Sequence, residues 1–284
     1  MVHTVPYAFD AFYEAINLPG DHRTAANARK DWIVQRLGQS LDVLDAFAIG
    51  SIPRYTALRG HADLDVLVVL HYGQHIRNRT PSEVLATVKN ALGSGAGNYR
   101  RNGQAVTISF RSWPNVDVVP ASRVTNGDGA VSYYKIPDMN RGVWITTKPR
   151  RHARNMAHAA EQEGPGFRQA ITMLKHWNRR QSVRLQSYHL EVIALGMTCD
   201  WNDPGWAILK WFEEAKERMS FCWDGSEDIS DYLSWEQGRA AKQRLQECHD
   251  LALSAWALTY RKNEHREALG KWRALFGREF PAYG

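Results

Sequence analysis

The stretch "AIGSIPRYTALRGHADLDVLVVL", residues 48–70, decides the fold. It begins apolar, turns at Gly50-Ser51, and ends in an apolar run that is typical of a buried strand. Two aspartates, Asp63 and Asp65, stand where that run begins. Side chains two positions apart on a strand lie on the same face of a sheet, so the two carboxylates are predicted to project together.

Two carboxylates held this close repel each other unless a cation lies between them, and Mg²⁺ is a hard cation that prefers such oxygen ligands. A third carboxylate, Asp117, lies in the short apolar segment "NVDVVPA". Upstream, Gly50 would let the backbone approach a phosphate closely, and Ser51 would offer it a hydroxyl. Together these residues predict a two-metal site for phosphoryl transfer. The alternatives are solvated aspartates at a strand start and a structural role for Asp117.

Composition limits the protein class. The chain has 284 residues, 44% of them hydrophobic and 23% charged, which is enough for one large or two smaller domains with a core. There is neither an apolar run of about 20 residues nor a signal-peptide pattern, so a cytoplasmic protein without a membrane partner is predicted. Three dispersed cysteines argue against a disulfide framework and a zinc knuckle. The net charge of +6 suits anionic ligands, or a basic surface kept for solubility.

The periodicity changes along the chain. The first 45 or so residues have a helical pattern, followed by strand patterns in "AFAIG", "DLDVLVVL", "QAVTISF" and "NVDVVPA", the last predicted to stop at Pro120. A helix is predicted for "PSEVLATVKNALGSG", closed by Gly93. Beyond residue 145 the patterns are helical. The prediction is an α+β protein with an N-terminal helix and mixed sheet in residues 1–145 and a helical lobe in residues 146–284.

Several segments in order give the chain a family resemblance: "GSIPRYTALRGHADLDVLVV", "GQAVTISF", "NVDVVPA", "RGVWITTKPRRH", "LKHWNRR" and "SYHLEVI". The series resembles bacterial CD-NTases of a compact, CdnE-like type, which are relatives of animal cyclic GMP-AMP synthase and oligoadenylate synthetase. The resemblance implies a polymerase-β-like nucleotidyltransferase core plus a helical C-terminal lobe. It further implies a bilobal protein in which the N-terminal helix bridges both lobes and nucleotides bind in the cleft.

The resemblance also implies roles on the helical half. Lys175 and Ser187 match residues that contact the donor triphosphate, and Tyr188 matches a tyrosine that stacks on a base, an interaction worth roughly 1–3 kcal/mol. From the residues alone, Lys175 would be a solvated helix lysine and Tyr188 a core aromatic. One departure concerns Tyr55, which stands where the family often has glycine.

The implied enzyme uses two Mg²⁺ ions, or Mn²⁺, held by Asp63, Asp65 and Asp117. It would join nucleoside triphosphates (ATP, GTP, UTP or CTP) into a cyclic di- or oligonucleotide and release pyrophosphate. The product would be a second messenger of CBASS anti-phage defence, and the effector would be reached through it. A monomer is expected. No activation by double-stranded DNA is expected either, because the cysteines of the animal DNA sensor's zinc insertion have no counterpart in this chain.

Two other functions remain open at this stage. One is a template-independent polymerase that makes linear oligonucleotides or extends RNA ends. The other is a non-catalytic nucleotide- or RNA-binding protein, such as an antitoxin of nucleotidyltransferase fold. The Gly50-Ser51 turn and the three aspartates argue against the second, because a pure binder does not need all of them.

Overall fold

The computed structural model describes residues 3–20, 22–93 and 96–284. The backbone forms two compact units. The sheet unit comprises Pro19–Tyr55 and Gly60–Arg154; the helical unit comprises the chain up to Leu18, Thr56–Arg59 and Asn155–Gly284. Each unit has its own core.

The sheet unit contains both helices and strands, whereas the named elements of the helical unit are helices. The helices are α1 (Val5–Ile16), α2 (His22–Leu37), α3 (Ser51–Arg54), α4 (Pro81–Leu92), α5 (Pro149–Glu163), α6 (Pro165–Arg180), α7 (Ser187–Leu195), α8 (Pro204–Arg218), α9 (Trp235–Tyr260) and α10 (His265–Phe276). The strands are β1 (Val43–Ile49), β2 (Leu64–Leu70), β3 (Ala96–Tyr99), β4 (Val106–Ile108), β5 (Val116–Thr125), β6 (Val131–Asp138) and β7 (Val143–Thr147).

The strands form one mixed sheet. Its order is β1-β2-β5-β4-β3, and β6 pairs with β5 and β7. Strands β2 and β5 run parallel, whereas the other pairs are antiparallel. Helices α2 and α4 pack against this sheet.

Strand β2 is buried on both of its faces. Leu67 and Val69 pack with Val119 on one face, and Val66 and Val68 on the other face are fully buried as well. The predicted buried strand is therefore confirmed. Burial fixes the strand in place, and Asp65 shares the face of Leu67 and Val69 because side chains alternate along a strand, whereas Asp63 precedes the strand.

Two predicted element boundaries were wrong. Helix α2 ends at Leu37 and strand β1 begins at Val43, so the helical pattern does not continue to residue 45. Strand β5 continues through Pro120 to Thr125. Pro120 is the register partner of Val68 on β2. On the other edge of β5, the pairing with β4 ends at Val118 and the pairing with β6 begins at Ser122, so no residue of β4 or β6 is paired with Pro120.

The helical unit is built around aromatic side chains. Four tryptophans are almost fully buried there: Trp177, Trp201, Trp211 and Trp272. The first helix belongs to this unit, since Phe9 and Phe12 pack against rings near the C-terminus. The unit boundaries therefore differ from the predicted division at residue 145, both at α1 and after Arg154. Within the described residues no helix is both long and apolar enough to span a membrane.

Candidate active site

The sheet places two aspartates side by side. Asp65 on β2 and Asp117 on β5 are register partners in the parallel pair, each in the second position of its strand. Asp63 lies just before β2 and is exposed, Asp65 is partly buried, and Asp117 is 4% exposed. The carboxylates that the sequence singled out therefore lie at one edge of the sheet, where β2 and β5 begin.

One arginine joins the two register partners. Arg100, directly after β3, donates from Nη1 to Asp65 Oδ1 at 2.6 Å, and its Nε lies 3.3 Å from Asp117 Oδ2. Sequence reasoning missed Arg100 because it stands in an ordinary polar turn. Its partner depends on how the β3–β4 hairpin is placed in the sheet, which local sequence does not reveal.

Neighbouring residues fix the orientation of both carboxylates. Thr107 lies opposite Asp117 in the β4–β5 register and donates from Oγ1 to Asp117 Oδ1 at 2.5 Å. Gly50 has a φ of +77°, and a Cβ added there would lie 2.1 Å from Asp65 Oδ2. Glycine is therefore required at position 50 both by the backbone conformation and by the approach of a carboxylate.

The electrostatics of this edge favour added positive charge. Burial raises the pKa of Asp65; Arg100 acts against this increase and Asp117 adds to it. Burial and the charge of Asp117 also raise the pKa of Asp63, against Arg100 and a hydrogen bond from Asn115. Both carboxyls are thus harder to ionise than an aspartate with the ordinary pKa, and a second cation nearby would favour their charged forms.

The donor set suits a hard divalent cation such as Mg²⁺. Asp65 and Asp117 offer carboxylate oxygens to a common cation, at present the guanidinium of Arg100. Within the described residues, no group of three or more His, Cys, Asp or Glu side chains is arranged to hold a metal ion. Asp65 and Asp117 therefore form the assembled part of the site, and participation of Asp63 stays a prediction.

The Gly50-Ser51 turn leads into a short helix. Ser51 is the first residue of α3, and the helix ends after one turn at Tyr55, which has a left-handed φ of 63° and ψ of 33°. Only glycine adopts that conformation without steric cost. Tyr55 therefore adopts a backbone conformation that favours glycine, at the position where the sequence departs from the family pattern it resembles.

Lys175 on α6 is not a solvated lysine. It is 5% exposed, and its Nζ lies 2.6 Å from both Thr56 Oγ1 and Glu191 Oε1, with Glu191 fully buried on α7. Ser187 is exposed at the first position of α7. Tyr188 packs partly against the helical core and donates from its hydroxyl to Asp224 at 3.0 Å. Their contacts with a nucleotide stay predictions.

The buried ion pair gives a stability prediction. Lys175→Met should lower the free energy of unfolding by about 3–5 kcal/mol, because Glu191 is left charged and buried without its ammonium partner. Lys175→Met combined with Glu191→Gln should recover much of that loss. Urea unfolding measures both. Lys210→Met is the matched control: it breaks a more exposed pair with Glu213 on α8 and should cost at most about 1 kcal/mol. An equal cost at both lysines would contradict the prediction.

His189 on α7 gives a pH prediction. Burial lowers its pKa to about 4, and its Nδ1 lies 2.9 Å from the Tyr232 hydroxyl. The unfolded chain therefore takes up a proton near pH 6.5, before the folded protein does. Stability is lost as pH falls from about 6.5 to about 4, by up to ~1.4 kcal/mol per pH unit. His189→Asn, which does not titrate, should flatten the profile of unfolding free energy against pH. An unchanged profile would rule out this role.

Comparisons of sequence identify the family of the chain. Residues 3–159 match a family model described as the Second Messenger Oligonucleotide or Dinucleotide Synthetase domain, which is more than half of the 284 residues. A probable cyclic nucleotide synthase of Bacillus cereus (strain VD146) is 24% identical over 335 residues, covering 100% of this chain and 99% of the relative.

Comparisons of structure agree on the fold. The CdnC structure of E. coli MS115-1 with ATP matches with a TM-score of 0.79 at 17% identity, covering 97% of this chain and 98% of that chain. The CdnE c-UMP-AMP synthase of Rhodothermus marinus, solved with Apcpp and Upnpp, matches with a TM-score of 0.60 at 17% identity, covering 85% and 94%. At these identities the likeness shows the fold, and the predicted α+β architecture is confirmed.

Proposed function

The chain belongs to the family of Second Messenger Oligonucleotide or Dinucleotide Synthetase domains, and from this membership we propose that it makes a cyclic di- or oligonucleotide. The predicted kinship with bacterial CD-NTase nucleotidyltransferases is confirmed, and the compact CdnE-like type is compatible with the matches. The observation that carries the proposal is the register pair of Asp65 and Asp117 facing one cation, with Gly50 packed against Asp65.

The proposed reaction is nucleotidyl transfer. A ribose hydroxyl of one nucleotide forms a bond to the α-phosphorus of another as the bond from that phosphorus to the β-phosphate oxygen breaks. The hydroxyl proton passes to water, and pyrophosphate departs with the electron pair of the broken bond. A last transfer between the two ends of the linear product closes the ring, so one pyrophosphate is released for each phosphodiester formed.

Asp65 and Asp117 would hold the Mg²⁺ ions, together with Asp63. When bound, Mg²⁺ or Mn²⁺ supplies positive charge that acidifies the attacking hydroxyl and neutralises the triphosphate. Thr107 keeps Asp117 in a fixed orientation, and Gly50 leaves the space that Asp65 occupies. This chain's contribution is therefore positioning and charge, which dominate phosphoryl-transfer catalysis.

The substrates would be nucleoside triphosphates. Ser51 offers a hydroxyl to the donor triphosphate, with Gly50 keeping the turn close to it. Lys175 and Ser187 would contact the same triphosphate, and Tyr188 would stack on a base. The buried pair with Glu191 supports a positioned rather than a flexible Lys175. The product would signal in CBASS anti-phage defence, inside the cytoplasm, by acting on an effector protein.

Incubation with ATP, GTP, UTP, CTP and Mg²⁺ tests this function. We expect a small product that resists phosphatase and whose mass corresponds to a closed ring, together with pyrophosphate. Mass spectrometry of the product also identifies its bases. A ladder of phosphatase-sensitive oligonucleotides would favour the linear polymerase instead, and no release of pyrophosphate would favour a non-catalytic binder.

A further inference from the structure

The side chain of Arg100 lies where a cation between two carboxylates belongs. Its Nη1 is 2.6 Å from Asp65 Oδ1 and its Nε is 3.3 Å from Asp117 Oδ2. These two carboxylates are neighbours in register on parallel strands, so they converge on the same point in front of the sheet edge. A single guanidinium thus neutralises part of the charge of both.

A divalent cation bound to the same oxygens cannot share this position with Arg100. Mg²⁺ binds carboxylate oxygens at about 2.0–2.1 Å, which would bring it within a few ångströms of the guanidinium. Cations at such a separation repel strongly in a partly buried site. The guanidinium must therefore leave when the ion binds to both carboxylates.

The surroundings allow that movement. The Arg100 side chain is 44% exposed, whereas the side chains of Asp65 and Asp117 are 17% and 5% exposed. The backbone of Arg100 is fixed in the β3–β4 turn, donating to Ala105 O at 2.9 Å and accepting from Gly103 N at 2.8 Å. Only the side chain has to turn towards solvent, while the carboxylates and the turn stay in place.

We propose that Arg100 is a displaceable counter-cation, which holds Asp65 and Asp117 together until a divalent cation replaces it. Arg100 and the divalent cation compete for the same two carboxylates. Arg100 therefore lowers the affinity of the site for the metal and sets the metal concentration at which the site is filled. The proposal rests on the proposed function, because it takes Asp65 and Asp117 to be metal ligands.

Binding of Mn²⁺ to the full chain without nucleotide tests this, for example by the electron paramagnetic resonance of free Mn²⁺. Arg100→Gln should bind Mn²⁺ at least about fivefold more tightly than the wild type. Arg101→Gln, the matched control, removes the same charge from the adjacent, exposed residue and should change the affinity less than about twofold. Equal gains in the two variants, or no gain at Arg100, would overturn the proposal.

A second variant and a second measurement test the displacement of Arg100 independently. Arg100→Lys keeps the charge but replaces the planar fork of the guanidinium with a single ammonium, so its affinity for Mn²⁺ should lie between those of the wild type and Arg100→Gln. The Nε–H resonance of Arg100, assigned by its loss in Arg100→Gln, should move on addition of Mg²⁺ to the wild type. A resonance that stays in place at a Mg²⁺ concentration that saturates binding would overturn displacement.

The outcome is separable from that of the proposed function. If the Arg100 variants behave as expected but mixed nucleoside triphosphates give no product, nucleotidyl transfer fails while the counter-cation role stands. If a cyclic product forms but Arg100→Gln leaves the affinity for Mn²⁺ unchanged, the function stands and the role of Arg100 falls.

Discussion

Replacing both Asp63 and Asp65 with asparagine is expected to lower the rate of product formation by at least about 10³-fold while the protein stays folded. Asparagine has nearly the shape of aspartate but lacks the negative charge that holds a divalent cation. The Oδ1 of an asparagine at position 65 can still accept the hydrogen bond from Arg100 Nη1, so we expect the fold to be retained. Pyrophosphate release measures the rate, and thermal unfolding should give a midpoint within a few degrees of the wild type.

The matched control for this double variant is Asp128→Asn. Asp128 lies in an exposed turn of the same unit, between strands β5 and β6, and its replacement should leave the rate unchanged. Full activity of the Asp63→Asn, Asp65→Asn protein would refute the assignment of these carboxylates. Unfolding of the double variant would instead show a structural role.

Replacing Gly50 with alanine is the second substitution with a large expected effect. The new Cβ would lie 2.1 Å from Asp65 Oδ2, so either the turn or the carboxylate must shift. The φ of +77° with a ψ of −154° is a glycine conformation, and alanine there costs about 1–3 kcal/mol. We expect this loss in the free energy of unfolding, and a rate lower by about 10²-fold, since small misplacements of catalytic groups have effects of that size.

Gly129→Ala separates the backbone cost of an alanine at positive φ from the effect of its Cβ on Asp65. Gly129 has nearly the same φ, +78°, but nothing lies within 4 Å of its added Cβ. Its replacement should therefore cost stability through the backbone alone and leave the rate of pyrophosphate release as it is. If Gly50→Ala is as active as Gly129→Ala, then Gly50 does not control the position of Asp65.

Some features of the site could be predicted because they depend on local rules. The side chains of a strand alternate, so Asp65 had to share the face of Leu67 and Val69 in β2. The run that follows them is apolar without interruption, which favours burial on both faces. Helix α4 begins at Pro81 and is closed by Gly93, both of which act within one turn of the chain.

Other features could not be predicted from the sequence because they depend on contacts between distant segments. Arg100 is 35 residues from Asp65 and meets it only through the placement of the β3–β4 hairpin. Lys175 lies on an amphipathic helix that made it look solvated, yet Thr56, 119 residues away, and Glu191 surround its ammonium. The continuation of β5 beyond Pro120 likewise depends on where β4 ends and β6 begins.

The sequence by itself therefore determined local features of this protein: a turn at Gly50-Ser51, two aspartates where a strand begins, and the burial of that strand. Only the tertiary structure decided that Asp117 is the register partner of Asp65 and that Arg100 is the cation between them. The physical reason is the distance along the chain over which each effect acts. Backbone periodicity and burial preference act over a few residues, whereas register and charge pairing are set when distant strands pack together.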